Sequence, residues 1–130
     1  NTELVLKSVK AMENLDVETY KSYFSTDAKF HDNSETTNLE QNASIIGLLK
    51  SKGISPKFTS VSPIWEYVYD KNVKPGDPAI HYVVSYQHGE LSQGNKKVPL
   101  TIIAVDRIKD GKIEEEFLTY DTKGLMELLK

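Results

Sequence analysis

Apolar residues recur at helical spacing in the first part of the chain and at strand spacing in the rest, so the pattern predicts helices first and strands afterwards. Val5, Val9 and Met12, flanked by Leu4, Ala11 and Leu15, predict an amphipathic helix from about Glu3 to Asn14. Asp16 is the expected N-cap of a second, short helix that turns Tyr20, Tyr23 and Phe24 inward before Ser25-Thr26-Asp27 breaks it. Ala28 to Asp32 reads as a short strand, and Asn33 to Asn38 as a polar loop that caps the next helix. Leu39, Ala43, Ile46 and Leu49 mark that third helix, which ends in Lys50 and Lys52 and stops at Gly53.

From Lys57 onward the residues favour strands: Phe58 to Tyr69, Ile80 to Gln87, Val98 to Ile108 and Ile113 to Tyr120 are rich in β-branched and aromatic side chains. Pro63 marks an edge, bulge or bend in the first of them. Asp70 to Pro78 and His88 to Lys97 read as connections, and Asp110-Gly111 as a tight hairpin turn, since Gly tolerates the positive φ of the primed turns. After Gly124, Leu125, Met126, Leu128 and Leu129 are expected as a final helical turn or a tail packed over the open end of the sheet. Helices followed by antiparallel strands give an α+β domain, with the helices on one face of a bent sheet.

Composition narrows the function classes. At 130 residues the chain is expected to form a single domain over residues 1–130. Hydrophobic residues at 38% and charged residues at 27% suit a water-exposed globular fold, and no apolar run is long enough to span a bilayer. The net charge of -3, with both signs mixed, offers no basic stripe to nucleic acid. Without cysteine there is no disulfide framework and no thiol nucleophile. His31, His81 and His88 lack metal-ligand spacing, so neither metal nor cofactor is expected. The chain begins at Asn1 without a methionine and shows no signal peptide, so no compartment is read from it.

Two carboxylates stand out. Asp32 shares strand parity with Phe30 and Ala28, so it faces the interior if Phe30 does, with His31 opposite; otherwise it caps the polar loop through Ser34 or Glu35. Asp121 shares period-two parity with Ile113, Phe117 and Thr119, and is either a pocket residue or an N-cap before Gly124-Leu125. Two carboxylates in one cavity raise one another's pKa, letting one act as acid and the other as base. Trp65, Tyr67 and Tyr69 form an aromatic stripe expected in the core or at a dimer interface. Asn42-Ala43-Ser44 fits a glycosylation sequon but falls inside a helix, where chance explains it. The acidic run Glu114 to Glu116 is expected to be solvated or to guard an edge.

The strings LDVETYKSYFSTDAKFHDN (Leu15 to Asn33) and DGKIEEEFLTYDTKGLMELL (Asp110 to Leu129) resemble the nuclear transport factor 2-like superfamily, the second string its SnoaL-like polyketide cyclase branch. The resemblance implies a cystatin-like cone: a curved antiparallel sheet and three N-terminal helices enclosing a cavity, in a homodimer through the outer sheet face. It implies Asp121 as the acid/base residue of an aldol cyclisation. The first string also resembles ketosteroid isomerases, where the carboxylate at Asp32 removes a proton beside a ketone. Their oxyanion donors, however, fall at Ser8 and at Ile103 or Ala104. One such donor is worth about 3 to 4 kcal/mol in the transition state, so steroid isomerisation is not expected. The expected function is acid/base chemistry on a small apolar carbonyl compound, catalysed by Asp121 and Asp32 in a pocket lined by Tyr20, Phe24, Phe30, Tyr86, His88 and Phe117. The alternative is a non-catalytic module of the same fold that binds a small hydrophobic ligand or mediates protein association.

Overall fold

The computed structural model describes residues 1–69 and 80–130; the connection expected over Asp70 to Pro78 lies outside the described residues. Helices α1 (Thr2–Glu13), α2 (Val17–Lys21) and α3 (Leu39–Ser51) precede most of the sheet, and α4 (Lys123–Leu129) closes the chain. The Asp16 side chain accepts from the Thr19 N–H at the start of α2, and Asn38 and Gln41 form a capping box at the start of α3. Gly53, at φ +68°, ends α3 in the left-handed conformation that glycine adopts without strain.

Six strands, β1 (Phe24–Asp32), β2 (Glu35–Asn38), β3 (Ser55–Tyr69), β4 (Ile80–Gln93), β5 (Lys96–Lys109) and β6 (Lys112–Tyr120), form one sheet in the order β2-β1-β6-β5-β4-β3. Several features depart from the sequence expectation: β1 already begins at Phe24, expected at the end of the second helix, and β4 continues to Gln93 and β5 begins at Lys96, inside the stretch His88 to Lys97 expected as a connection. The polar segment after Asp32 is a strand, β2, paired antiparallel with β1, and β1 runs parallel to β6, so the sheet is mixed. Pro63 lies in the edge strand β3, at a register shift between Val61 and Ile64.

Beneath the helices the sheet carries a core that includes Val5, Phe30, Ile46, Val83, Ile108 and Ile113, all at most 1% exposed. Phe24 and Phe30 belong to this core: the ring centroids of Tyr20 and Phe24 are 4.8 Å apart and those of Phe24 and Phe30 5.0 Å. A second cluster of Leu49, Ile54, Leu91 and Leu128 anchors α4 against the other end of the sheet. The Gln93 amide tightens that end by donating to the carbonyls of Lys52 and Leu128.

The turn at Asp110-Gly111 has positive φ at both residues, as a primed hairpin turn requires. Just beyond it lies the feature that decides which side chains face inward. Ile108 pairs with Ile113, but Arg107 pairs with Glu115 and Asp106 with Glu116, so β6 carries one extra residue. Such a bulge reverses side-chain parity in the bulged strand. Ile113 and Glu116 are therefore both buried, and beyond them Leu118 and Tyr120 face the concave side while Phe117 and Thr119 face out.

Candidate active site

The helices and the concave face of the sheet enclose a pocket of about 110 Å³. Its walls are mostly apolar, with Met12 from α1, Ile45 from α3, Phe58 from β3, Ile102 from β5 and Leu125 from α4 among them. Against this wall stands a polar group formed by Tyr20, Asp32, Asn42, Gln87, Glu116 and Tyr120. Each arrives by its own local logic. Tyr20 follows from the Asp16 cap, Asn42 from the capping box of α3, Asp32 from the parity of β1, and Glu116 from the bulge in β6.

Glu116 of this group is paired across the strands with a second buried acid, Asp106, which lies outside the lining. Asp106 is 1% exposed and Glu116 8%, and they stand opposite one another on β5 and β6. Burial disfavours the charged form of both. Asp106 is pushed up to about 6 by burial, against the lowering effect of its hydrogen bond with Glu116. Glu116 is raised well above the usual carboxylate range, by burial first and then by the charge of Asp106. The pair therefore retains a proton into a pH range where exposed carboxylates have lost theirs, carried chiefly by Glu116. Asp106 Oδ1 is buried without a partner.

Tyr20 supplies a second donor. Its oxygen accepts from the Asn42 amide at 2.7 Å, which leaves its own hydroxyl hydrogen available. Burial, followed by the negative charge of Glu116, holds its pKa well above the usual phenol value, so it stays protonated. The same bond buries Asn42 at 4% exposure, which removes the sequon from solvent. Asp32 lines the pocket with Oδ1 unpartnered, and its pKa is raised by burial, then by Glu35, against the lowering effect of His31. Tyr120 is raised by burial and then by Asp32.

Of the residues expected at the site, Tyr20 and Asp32 line the pocket; the others lie elsewhere. Phe24 and Phe30 are packed beneath it in the core. Tyr86 and His88 are half-buried and stand outside the lining, because Val83, Ser85 and Gln87 take the inward parity of β4. Tyr86 packs near Trp65 on the outer face. Phe117 is 41% exposed and stacks on His31, whose Nε2 meets Glu115 Oε2 at 2.6 Å. His81 shares parity with Val83 and bonds Glu66 at 2.8 Å. Asp121 is exposed and outside the lining; its Oδ1 accepts from the Lys123 N–H at 2.9 Å, at the start of α4. Straight alternation along β6 carried it to the pocket face, and the bulge carries it away. Alternation also hid Glu116, whereas Asp106 keeps the inward parity of Ala104 and Ile108 along β5 and Asn42 lies on the buried face of α3 with Leu39, Ala43 and Ile46. The available signal was the placement of Asp106 and the acidic run Glu114 to Glu116 on either side of Asp110-Gly111, which makes them cross-strand neighbours in any hairpin.

The fold matches solved structures across almost the whole chain. An LEH-like epoxide hydrolase of M. tuberculosis superposes with a TM-score of 0.70 at 14% identity, covering 98% of this chain and 86% of that one. A polyketide cyclase candidate from Pseudomonas putida KT2440 gives 0.67 at 16% identity, covering 99% and 97%. A ketosteroid isomerase-like protein from Erwinia carotovora gives 0.63 at 7% identity, covering 91% of each chain. The fold is that of the nuclear transport factor 2-like superfamily. No family model matches the chain, and no curated protein matches it. At these identities the likeness is one of fold, and the chemistry is argued from the side chains.

Proposed function

We propose that this nuclear transport factor 2-like chain is an enzyme of the cyclase or isomerase type, acting by proton transfer on a small, mostly apolar carbonyl compound. One observation carries the reading: two protonated donors, Glu116 and Tyr20, share an apolar pocket with a desolvated carboxylate, Asp32. Asp32 takes the proton beside the carbonyl, and the electron pair moves to the carbonyl oxygen. Glu116 and Tyr20 donate to that oxygen as its charge develops. These donors come from β6 and α2, which compensates for the donors missing at Ser8 and Ala104. The enolate then regains a proton at another carbon or attacks a second carbonyl in the same molecule. Asp121 takes the capping role in this reading, and the pocket acids take the catalysis.

The test is exchange of α-protons of small cyclic ketones in deuterated water, followed by NMR. Glu116→Gln and Asp32→Asn are expected to slow exchange at least about a hundredfold, and Asp121→Asn to leave it unchanged. Wild-type rates in both pocket variants would refute the assignment. The mainly apolar wall also suits a second reading, a binding module without turnover; ketone binding with no exchange in the wild type would favour it.

A homodimer through the outer sheet face is part of the same proposal, because Trp65, Tyr67, Ile103 and Phe117 are exposed there among other apolar side chains. Trp65→Glu combined with Phe117→Glu should convert a dimer to a monomer in light scattering, and an unchanged mass would exclude that face.

A further inference from the structure

The polar end of the pocket carries more acid than proton transfer to a neutral ketone requires. Asp32 and Glu116 line it, Asp106 is the cross-strand partner of Glu116 outside the lining, and among the described residues lining it none is Lys, Arg or His. The nearest base that acts on Asp32 is His31, which points to the opposite face and is engaged by Glu115 and Thr36. One carboxylate oxygen of the lining, Asp32 Oδ1, is buried without a partner. Unpaired buried acceptors are costly, and a matching donor recovers that cost. The remaining polar neighbours also suit a cation. Tyr20, Phe58 and Tyr120 bring aromatic rings to the lining, and Gln87 donates its amide to Ser85, which leaves its carbonyl oxygen free to accept.

We propose that the pocket binds a small apolar amine as its ammonium ion, the hydrocarbon against Met12, Phe58 and Ile102 and the nitrogen against the Asp32 carboxylate, with the Gln87 carbonyl and the carbonyl oxygen of the protonated Glu116 as further acceptors. This rests on the reading of the pocket as the ligand site and adds a ligand class to it. The amine competes with the ketone for the same space. The pocket is partly open, and its volume of about 110 Å³, against the roughly 150 Å³ void that takes benzene, suits a ligand of about six heavy atoms such as a five-membered ring with one substituent at the open side. A carboxylic acid of the same shape is excluded by like charge. The titratable groups that face the ammonium are Asp32, Glu116, Tyr20 and Tyr120, with Asp106 outside the lining.

The experiment compares cyclopentylamine, cyclopentanol and cyclopentanecarboxylate by calorimetry at pH 7.5 on the wild type, and repeats the amine and the alcohol on an Asp32→Asn, Glu116→Gln double variant. The amine is expected to bind at least about tenfold more tightly than the alcohol, and the carboxylate not at all. In the double variant amine and alcohol should fall within about twofold of each other. Equal binding of amine and alcohol in the wild type overturns the proposal, as does binding of the carboxylate or retention of the amine preference in the double variant. The wild-type comparison decides by itself if the double variant does not fold. Glu116-dependent exchange of ketone protons without amine binding overturns this inference alone. Amine binding with no ketone binding or exchange overturns the proposed reaction and leaves this inference standing.

Discussion

Replacing Glu116 by Gln should stabilise the protein at alkaline pH while it removes activity. The pair Asp106–Glu116 binds more protons in the folded chain than in the unfolded chain, because burial raises both pKa values. For a group whose pKa is raised on folding, the stability it contributes is fully present below the unfolded pKa. It is lost as the pH rises through the folded value. For Asp106 alone, a rise from 3.8 to about 6 corresponds to roughly 3 kcal/mol, lost between about pH 4 and pH 6 and above. Glu116 adds to this in the same direction over a higher range. The side-chain amide of the Glu116→Gln variant would keep a donor for Asp106 without a titrating proton, so Asp106 could ionise beside a neutral group. Urea unfolding at pH 4.5, 6 and 8 measures the difference. The wild type should lose about 3 kcal/mol or more across this series, and the variant, which keeps the loss due to the buried Asp106 and drops that due to Glu116, should lose less. At pH 8 the variant should be the more stable protein, with a higher melting temperature than the wild type. A wild type equally stable at pH 4.5 and pH 8, or a variant with the same slope, would refute the retained proton.

Tyr20→Phe removes the acceptor of the buried Asn42 amide and should cost about 1 to 3 kcal/mol in urea unfolding, with ketone proton exchange slowed about a hundredfold. Exchange at the wild-type rate would remove Tyr20 from the donor role. Asp121→Asn preserves an acceptor for the Lys123 N–H and should change stability by less than about 0.5 kcal/mol. Gly89→Ala places a Cβ against the Lys57 carbonyl and the Phe58 backbone, which the β3–β4 pairing holds in place, and should cost about 3 kcal/mol. Gly47→Ala, in open space within α3, should instead stabilise by up to about 1 kcal/mol. Thermal melts of this pair of variants, read side by side, check both signs.

The helices were legible because their signals are local. Val5 and Val9 share one face of α1 at a spacing set by the helix itself, Asp16 caps the turn that follows it, and Asn38 with Gln41 closes the start of α3 within a single turn. The hairpin at Asp110-Gly111 was legible for the same reason, since positive φ at adjacent residues is a local demand. The position of Asp32 follows from counting along an uninterrupted strand end, Ala28 to Phe30 to Asp32.

What the chain determined by itself is therefore the helices, the existence of the long strands, the hairpin and the inward face of β1. The tertiary structure decided the rest of the site. A bulge exists only in the pairing of two strands, and the one extra residue in β6 turned Glu116 inward and Asp121 outward. The parity of β4, which buries Gln87 and excludes Tyr86 and His88, likewise depends on which face the helices cover. The parallel contact of β1 with β6 brings Asp32 to the pocket that Glu116 lines, across a separation in sequence that no local pattern spans. The acidity of the pair is tertiary too, since the pKa of Asp106 rises through burial and that of Glu116 through burial and its neighbour's charge. Desolvation and charge proximity exist only once the sheet and helices have closed over them.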